Sequence, residues 1–211
     1  MTELFASGRI IDEPGRSILA GLRAVAQVHR GKFRLTPNQN LMIADVEPGD
    51  RAAIDALLTE HGLAESNSTS ALRLNSIACV ALPTCPLAMA EAERYLPDLV
   101  TKLEAILAEN GLSEEPITIR MSGCPNGCSR PYVSEIALTG RAPGKYNLYI
   151  AGGFHGERLN TLYQENIGEA AILQTLGEML GRFARERTPG EHFGDFVIRA
   201  AYLQGEEALA I

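Results

Sequence analysis

The stretch PITIRMSGCPNGC, residues 116–128, joins an alternating apolar pattern to a pair of cysteines. Apolar and polar side chains alternate up to Met121, which is typical of a β-strand with one buried face. The strand leads into a loop bounded by Cys124 and Cys128, where Pro125 and Gly127 allow the backbone to turn sharply. The sequence therefore predicts a strand that delivers two thiols to one short loop.

The chain contains four cysteines, in a C-x5-C pair (Cys79 and Cys85) and a C-x3-C pair (Cys124 and Cys128). Thiolates are soft ligands, and a four-thiolate site selects zinc or an iron–sulfur cluster. Zinc sites usually take closer pairs, so these wider and unequal spacings favour a larger cluster held from two sides. Two disulfides or four buried thiols are the alternative. If one cluster is bound, all four sulfurs must converge on a common centre.

Composition limits the class of protein. The 211 residues are 45% hydrophobic and 21% charged, as in a globular protein. No apolar run is long enough to cross a membrane, and no signal peptide is visible, so we expect a cytoplasmic protein with reduced thiols. A net charge of -7 disfavours nucleic acid as a partner. No G-x-G-x-x-G motif follows a strand, so nothing indicates that this chain binds NADPH itself.

Hydrophobic periodicity predicts two units. The first, residues 1–65, is expected to contain helix 17–29, strands 32–36 and 40–46, and helix 48–61. A polar stretch at 65–70 separates it from the second unit, residues 66–211.

Strands and helices are mixed in the second unit without strict alternation, which predicts an α+β fold. The expected elements are strand 72–80, a helix from Pro86 to Gly111 interrupted at Pro97, strand 116–121, a hairpin of 134–139 and 146–151, helix 169–187 and strand 193–200.

The cysteine segments resemble the sulfite and nitrite reductase family. The likeness is carried by CVALPTCPLAMAEAERYLP at 79–97 and MSGCPNGC at 121–128, and stretches 31–40, 142–148 and 190–196 match as well. It extends over nearly the whole chain, and segment 86–97 favours the sulfite branch.

The resemblance implies a ferredoxin-like half-lobe followed by an α+β domain that binds a 4Fe–4S cluster and sirohaem. It implies that the cluster is held by Cys79, Cys85, Cys124 and Cys128, and that Cys128 also bridges to the sirohaem iron, as the catalytic ligand. Asn126 is then expected to contact a sirohaem carboxylate, and Gln39 and Asn40 are expected to line the sirohaem. For all three residues a polar turn residue is the alternative.

The activity that the resemblance implies is the six-electron reduction of sulfite to sulfide. Reduction of nitrite to ammonia, and a non-catalytic electron-transfer or scaffold module, remain as alternatives.

Family members are longer, so the resemblance implies that this chain is the second half of a haemoprotein. Substrate would be held by two arginines and two lysines of the first half, which have no counterpart here. Expected partners are that N-terminal half and a flavoprotein reductase subunit or ferredoxin as electron donor. A truncation, a gene fragment and a split protein all remain open.

Four basic side chains lie near these motifs in the sequence. Arg120 and Arg130 flank the second cysteine pair, where they either neutralise cofactor carboxylates or are solvated. Arg141 and Lys145 bracket a Gly/Pro loop, and we expect both to face solvent.

Overall fold

A computed structural model of the protein describes residues 2–5, 10–64 and 69–203, with backbone alone at 2–5. The chain divides into two compact units, Met1–Thr69 and Ser70–Ile211. Most of the predicted connection at 65–70 and the last eight residues of the tail lie outside the described residues.

The first unit is a small antiparallel sheet packed against two helices. Its three-stranded sheet has the order β1-β5-β4, and β2 pairs with β3 in a separate two-stranded ribbon. The elements are β1 (Thr2–Phe5), β2 (Asp12–Glu13), β3 (Arg16–Ser17), α1 (Ile18–Val28), β4 (Lys32–Leu35), β5 (Asn40–Ala44) and α2 (Arg51–Glu60).

The core of the first unit follows from helical and strand periodicity. Both helices and both strands of the sequence prediction are confirmed, whereas β1 and the β2–β3 ribbon were not predicted. Apolar side chains of α1, β5 and α2 meet in one buried cluster, made of Ile18, Leu22, Val25, Leu41, Ile43, Ile54, Leu58 and Leu63.

The second unit is a mixed sheet with helices. Five strands lie in the order β10-β9-β8-β7-β6. The β6–β7 and β7–β8 pairs are parallel. The β8–β9 and β9–β10 pairs are antiparallel. The elements are α3 (Ala71–Leu74), β6 (Ser76–Ala78), α4 (Leu96–Glu109), β7 (Ile119–Ser122), β8 (Ile136–Ala142), β9 (Lys145–Ile150), β10 (Thr161–Ile167), α5 (Glu169–Glu186) and α6 (Phe193–Arg199).

One hydrophobic core holds this unit together. The apolar faces of α4 and α5 supply Leu99, Leu103, Leu176 and Phe183, which are buried with Met121 of β7 in the same cluster. Burying such side chains contributes about 1.5–3 kcal/mol each against leaving them in water. The predicted strand before the second cysteine pair, the hairpin and the long helix at 169–187 are therefore confirmed.

The prediction of helix from Pro86 onward is wrong up to residue 95. Helix α4 begins at Leu96, and Pro97 occupies its first turn, where a missing N–H costs nothing. Residues before it bond elsewhere, because Met89 N and Ala90 N both donate to Gly123 O. These hydrogen bonds to the second cysteine motif take the place of the helical hydrogen bonds that were predicted for this segment.

Two strand predictions are also corrected. The segment from 72 begins as helix α3, which Ser70 caps by accepting from Arg73 N at 3.1 Å, and only Ser76–Ala78 form β6. The segment 193–199 is helix α6, because Phe193, Phe196 and Val197 are buried at helical spacing. Strand β10 was not predicted, since its residues are mostly polar and its pairing is irregular.

No helix in the described part of the chain combines the length and apolar composition needed to span a membrane.

Candidate cluster site

Both cysteine motifs start at the same edge of the five-stranded sheet. Strands β6 and β7 are parallel neighbours, with Ala78 opposite Met121. Cys79 follows β6 directly, and Cys124 lies two residues beyond the end of β7. Since carboxyl ends of parallel strands meet at one edge, the topology brings the C-x5-C and C-x3-C segments together.

The two motifs are in direct contact. Gly123 N donates to Cys79 Sγ at 3.2 Å, and Gly123 O accepts from Met89 N and Ala90 N at 2.8 and 3.1 Å. A Cβ on Gly123 would lie 2.6 Å from Ala81 Cβ and 2.7 Å from Ala90 O. Only glycine permits this close approach, so the sequence Gly-Cys in the second motif is required by the first.

The first motif forms a tight loop. Cys85 N donates to Ala81 O at 2.7 Å, and Ala88 N donates to Cys85 O at 3.2 Å. Cys79 and Cys85 are both partly exposed. Their thiols are thus held by a backbone that bonds within the loop and to Gly123.

The second motif turns at Gly127, whose φ of +70° is a conformation that favours glycine. Tyr132 Oη donates to Pro125 O at 3.0 Å, and so braces the middle of the loop. Cys124 is buried, whereas Asn126 and Cys128 are exposed. The loop therefore presents one buried and one accessible sulfur.

All four thiols are free, and soft sulfur donors are what an iron–sulfur cluster requires. Among the described residues, no three His, Cys, Asp or Glu side chains form a group that could hold a metal ion. The contact between the motifs brings Gly123, the residue before Cys124, against the Cys79 sulfur. Convergence of the four sulfurs on one centre stays a prediction.

Arg120 lies in β7 and is half-buried beside the second loop. Its Nη1 donates to Arg130 O at 3.0 Å, while its Nε is buried and has no hydrogen-bond partner among the described residues. Burial, and after it the nearby Arg130 charge, lower the pKa of Arg120. A buried cationic group with an unused donor fits an anion, such as a carboxylate of a cofactor.

The remaining predicted residues lie elsewhere. Gln39 and Asn40 belong to the first unit, in the β4–β5 turn and at the start of β5; Gln39 has a φ of +62°, and Asn40 N donates to Thr36 Oγ1 at 3.0 Å. Their contact with a cofactor stays a prediction. Arg141 and Lys145 are exposed in the β8–β9 hairpin, as expected.

Sequence reasoning missed a buried acid in the same unit. Glu135 is fully buried; its Oε2 accepts from Thr118 N at 2.8 Å, and its Oε1 accepts from Gly194 N at 3.0 Å. Burial raises the pKa of Glu135 to about 7, against the effect of these donors. A single glutamate before a strand gives no indication of this role in the sequence.

Sequence reasoning also missed two serines, Ser122 and Ser129, which flank the second loop. Their positions, two residues before the first cysteine and one after the second, were the available indication.

Comparison with known proteins gives the class first. Residues 4–61 match the family described as nitrite/sulfite reductase ferredoxin-like half domain, which lies within the first unit. This match shows that residues 4–61 form such a half domain, and highly identical relatives extend the similarity over nearly the whole chain. The predicted α+β fold with a ferredoxin-like half-lobe is thereby confirmed.

The individual relatives are more specific. The sulfite reductase (NADPH) hemoprotein beta-component of Afipia carboxidovorans is 66% identical over 96% of this chain and 35% of its own length. That of Bordetella petrii is 61% identical over 99% of this chain and 35% of its own. The solved structure of Mycobacterium tuberculosis NirA protein has a TM-score of 0.71 and 27% identity, and is matched over 90% of this chain and 36% of its own.

The chain thus spans about a third of the length of the relatives it matches, less than the half that the resemblance implied.

Proposed function

We propose that this chain supplies the cluster-binding part of a sirohaem-dependent sulfite reductase, which reduces sulfite to sulfide by six electrons. The contact that carries the proposal is Gly123 N to Cys79 Sγ, since it brings the two cysteine motifs into direct contact. The identity of 66% to a sulfite reductase hemoprotein favours sulfite as the substrate.

Cys79, Cys85, Cys124 and Cys128 would hold a 4Fe–4S cluster, which supplies electrons one at a time. The N–H bond from Gly123 to Cys79 Sγ would stabilise negative charge on that sulfur and so raise the reduction potential. Cys128 is exposed, so its sulfur is accessible to a second metal, and we assign it as the bridge to the sirohaem iron.

Residues around the second loop would orient sirohaem. Arg120 has the unused buried donor that an acidic macrocycle would satisfy, with Arg130 beside it. Asn126 is exposed next to Cys128 and would donate to a carboxylate of the same group. We propose in addition that Gln39 and Asn40 contact sirohaem.

Partners follow from the names of the relatives. We propose that electrons come from a flavoprotein reductase subunit or a ferredoxin, and that the part of the haemoprotein outside the matched third completes the substrate cavity. Four free thiols and a net charge of -7 are consistent with a cytoplasmic protein that does not bind nucleic acid.

The ultraviolet–visible spectrum of protein purified without oxygen tests the proposal. We expect sirohaem bands together with about five iron atoms per chain, four from the cluster and one from sirohaem, and loss of both signals in Cys124→Ala. The matched control is Ser76→Ala, a buried change outside the cysteine loops.

The same spectrum separates the alternatives. A cluster shoulder without sirohaem bands would favour the non-catalytic electron-transfer module, and a colourless, iron-free protein would contradict the proposal. Nitrite turnover exceeding sulfite turnover, measured with the completed haemoprotein, would favour the nitrite reductase.

A further inference from the structure

Two buried hydroxyl groups meet at the base of the second cysteine loop. Ser122 Oγ and Ser129 Oγ are 2.7 Å apart, and Ser129 N donates to Ser122 Oγ at 3.2 Å. The two residues are only 1% and 3% exposed. Buried hydroxyl groups are costly unless they are hydrogen-bonded, so each serine depends on the other.

The pair encloses the loop. Ser122 lies two residues before Cys124, and Ser129 directly follows Cys128. Ser122 is also the last residue of β7 and is paired with Thr139 of β8, so one end of the bond is fixed on the sheet. The hydroxyl contact therefore ties the free end of the loop to a rigid strand.

A second brace acts on the middle of the loop. Tyr132 donates a hydrogen bond to Pro125 O. Its ring also packs against Gly127, where an added Cβ would lie 3.1 Å from a ring carbon. Arg130 N donates to Gly127 O at 2.8 Å. These contacts hold the middle of the loop. The contact between Ser122 and Ser129 is then what holds its two ends together.

We propose that Ser122 and Ser129 form a hydroxyl clamp that sets the separation of Cys124 and Cys128, and are thus positioning residues for the metal cluster. The part about the cluster rests on the proposed function. A loop whose thiols are already in place loses less conformational freedom when it binds metal, so the clamp slows cluster loss.

The first test measures iron transfer from the full-length chain, reconstituted with iron and sulfide, to an excess of a ferrous chelator. We expect Ser122→Ala and Ser129→Ala each to accelerate transfer about fivefold or more, the equivalent of one net hydrogen bond. The double variant should be no faster than Ser122→Ala, which already removes both the contact between the hydroxyl groups and the acceptor of the Ser129 N–H. Ser129→Thr keeps the hydroxyl group and should restore the slow rate.

Ser76→Ala is the matched control, since Ser76 is equally buried and its Oγ donates to Arg73 O at 2.7 Å, away from the loop. Thermal unfolding of the cluster-free variants shows whether a change is a general loss of stability. Additive effects of the two serine variants, or equal acceleration in Ser76→Ala, would overturn the clamp.

The second test needs no cluster. Cys124 is 7% exposed, so its alkylation in the cluster-free chain should be slow and should accelerate about fivefold in either serine variant. Unchanged Cys124 alkylation would contradict the clamp even where a cluster forms. A wild-type chain that binds no iron, with faster Cys124 alkylation in the variants, would contradict the proposed function and leave the clamp supported.

Discussion

Cys128 differs from the other three cysteines in exposure. It is exposed at the end of the second loop, whereas Cys124 is buried and Cys79 and Cys85 are partly exposed. Cys79 Sγ in addition accepts a backbone hydrogen bond from Gly123. The Cys79 sulfur is therefore held by a backbone hydrogen bond, whereas the Cys128 sulfur is accessible from outside the protein.

The first prediction compares Cys128→Ser with Cys79→Ser in the reconstituted haemoprotein. Loss of the Cys128 sulfur should remove the magnetic coupling between sirohaem and the cluster, because it removes the proposed bridge. Loss of the Cys79 sulfur should lower the cluster content first. Electron paramagnetic resonance and iron analysis measure the two effects, and equal, mild effects of both changes would count against a bridging role for Cys128.

Glu135 gives a prediction about pH. Burial raises its folded-state pKa to about 7, above the ordinary value of a glutamate, and Asp195 contributes a smaller upward shift. The folded state therefore binds this proton more tightly than the unfolded state does. Stability from this group is present at low pH and is lost as the pH rises from about 4.5 to 7.

We expect the Glu135→Gln variant to lack this dependence, because its side chain stays neutral. Between pH 5 and 8, the free energy of unfolding of wild type should fall relative to the variant by up to about 3 kcal/mol. Chemical denaturation at both pH values measures the difference. Carboxylates whose pKa is lowered, such as Glu104, are present in both proteins, so their pH-dependent contributions to stability cancel in the comparison. Parallel pH profiles would show that Glu135 is not the group responsible.

Spacing was the only basis in the sequence for grouping residues into a site, and a cluster shared by the four cysteines stays a prediction. The four cysteines could be grouped from sequence because their intervals are unusual for zinc. The roles of Ser122 and Ser129 depend on how the loop between them folds, although they are only seven residues apart. The role of Glu135 depends on segments that are distant in sequence. Glu135, for example, bonds to Gly194, 59 residues further along the chain.

Helix α5 contains two glycines, Gly177 and Gly181, whose surroundings leave different amounts of room. A Cβ on Gly177 would lie 3.7 Å from Ile106 Cδ1, an ordinary contact, whereas one on Gly181 would lie 3.3 Å from Asn110 Oδ1. Glycine within a helix costs up to about 1 kcal/mol relative to alanine. Gly177 therefore lowers the stability of α5 without a packing reason.

We predict that Gly177→Ala raises the free energy of unfolding by about 0.5–1 kcal/mol. Gly181→Ala should give a smaller gain, since Asn110 must move to admit the methyl group. Urea denaturation of both variants measures this order. A destabilised Gly177→Ala, or a larger gain for Gly181→Ala, would contradict the packing described for α5.

Helices and strands were predicted well where the apolar periodicity matches the buried face. They were predicted poorly where the backbone forms hydrogen bonds to a segment distant in sequence. Helices α1 and α5 bury regular apolar faces, and both were expected. The segment before α4 has helical composition, yet Met89 N and Ala90 N bond to Gly123 O. Local propensity is a weak indication there, because tertiary hydrogen bonds decide the conformation.

At the scale of the whole molecule, each unit has a core of its own. The clusters around Val25 and around Met121 share no residue. The cysteine loops, Arg120 and Glu135 all belong to the second unit. The residues that we propose for cluster binding therefore lie in one unit, whereas catalysis would require a complete substrate cavity.

The last prediction is that residues 1–211 alone do not reduce sulfite at the rate of a full-length relative. Sulfite is an anion that must approach an iron surrounded by carboxylates of sirohaem, which is unfavourable unless several cations converge there. At the second loop the described residues offer Arg120 and Arg130, while Arg141 and Lys145 are exposed in the β8–β9 hairpin. The matched relatives have about two thirds of their length outside this region, where we expect the remaining cations and the walls that exclude water.

Turnover with reduced methyl viologen, on chain reconstituted with iron, sulfide and sirohaem, measures the rate. Sulfide formation comparable to that of a full-length relative would contradict the prediction, and its loss in Arg120→Gln would then identify Arg120 as a substitute cation.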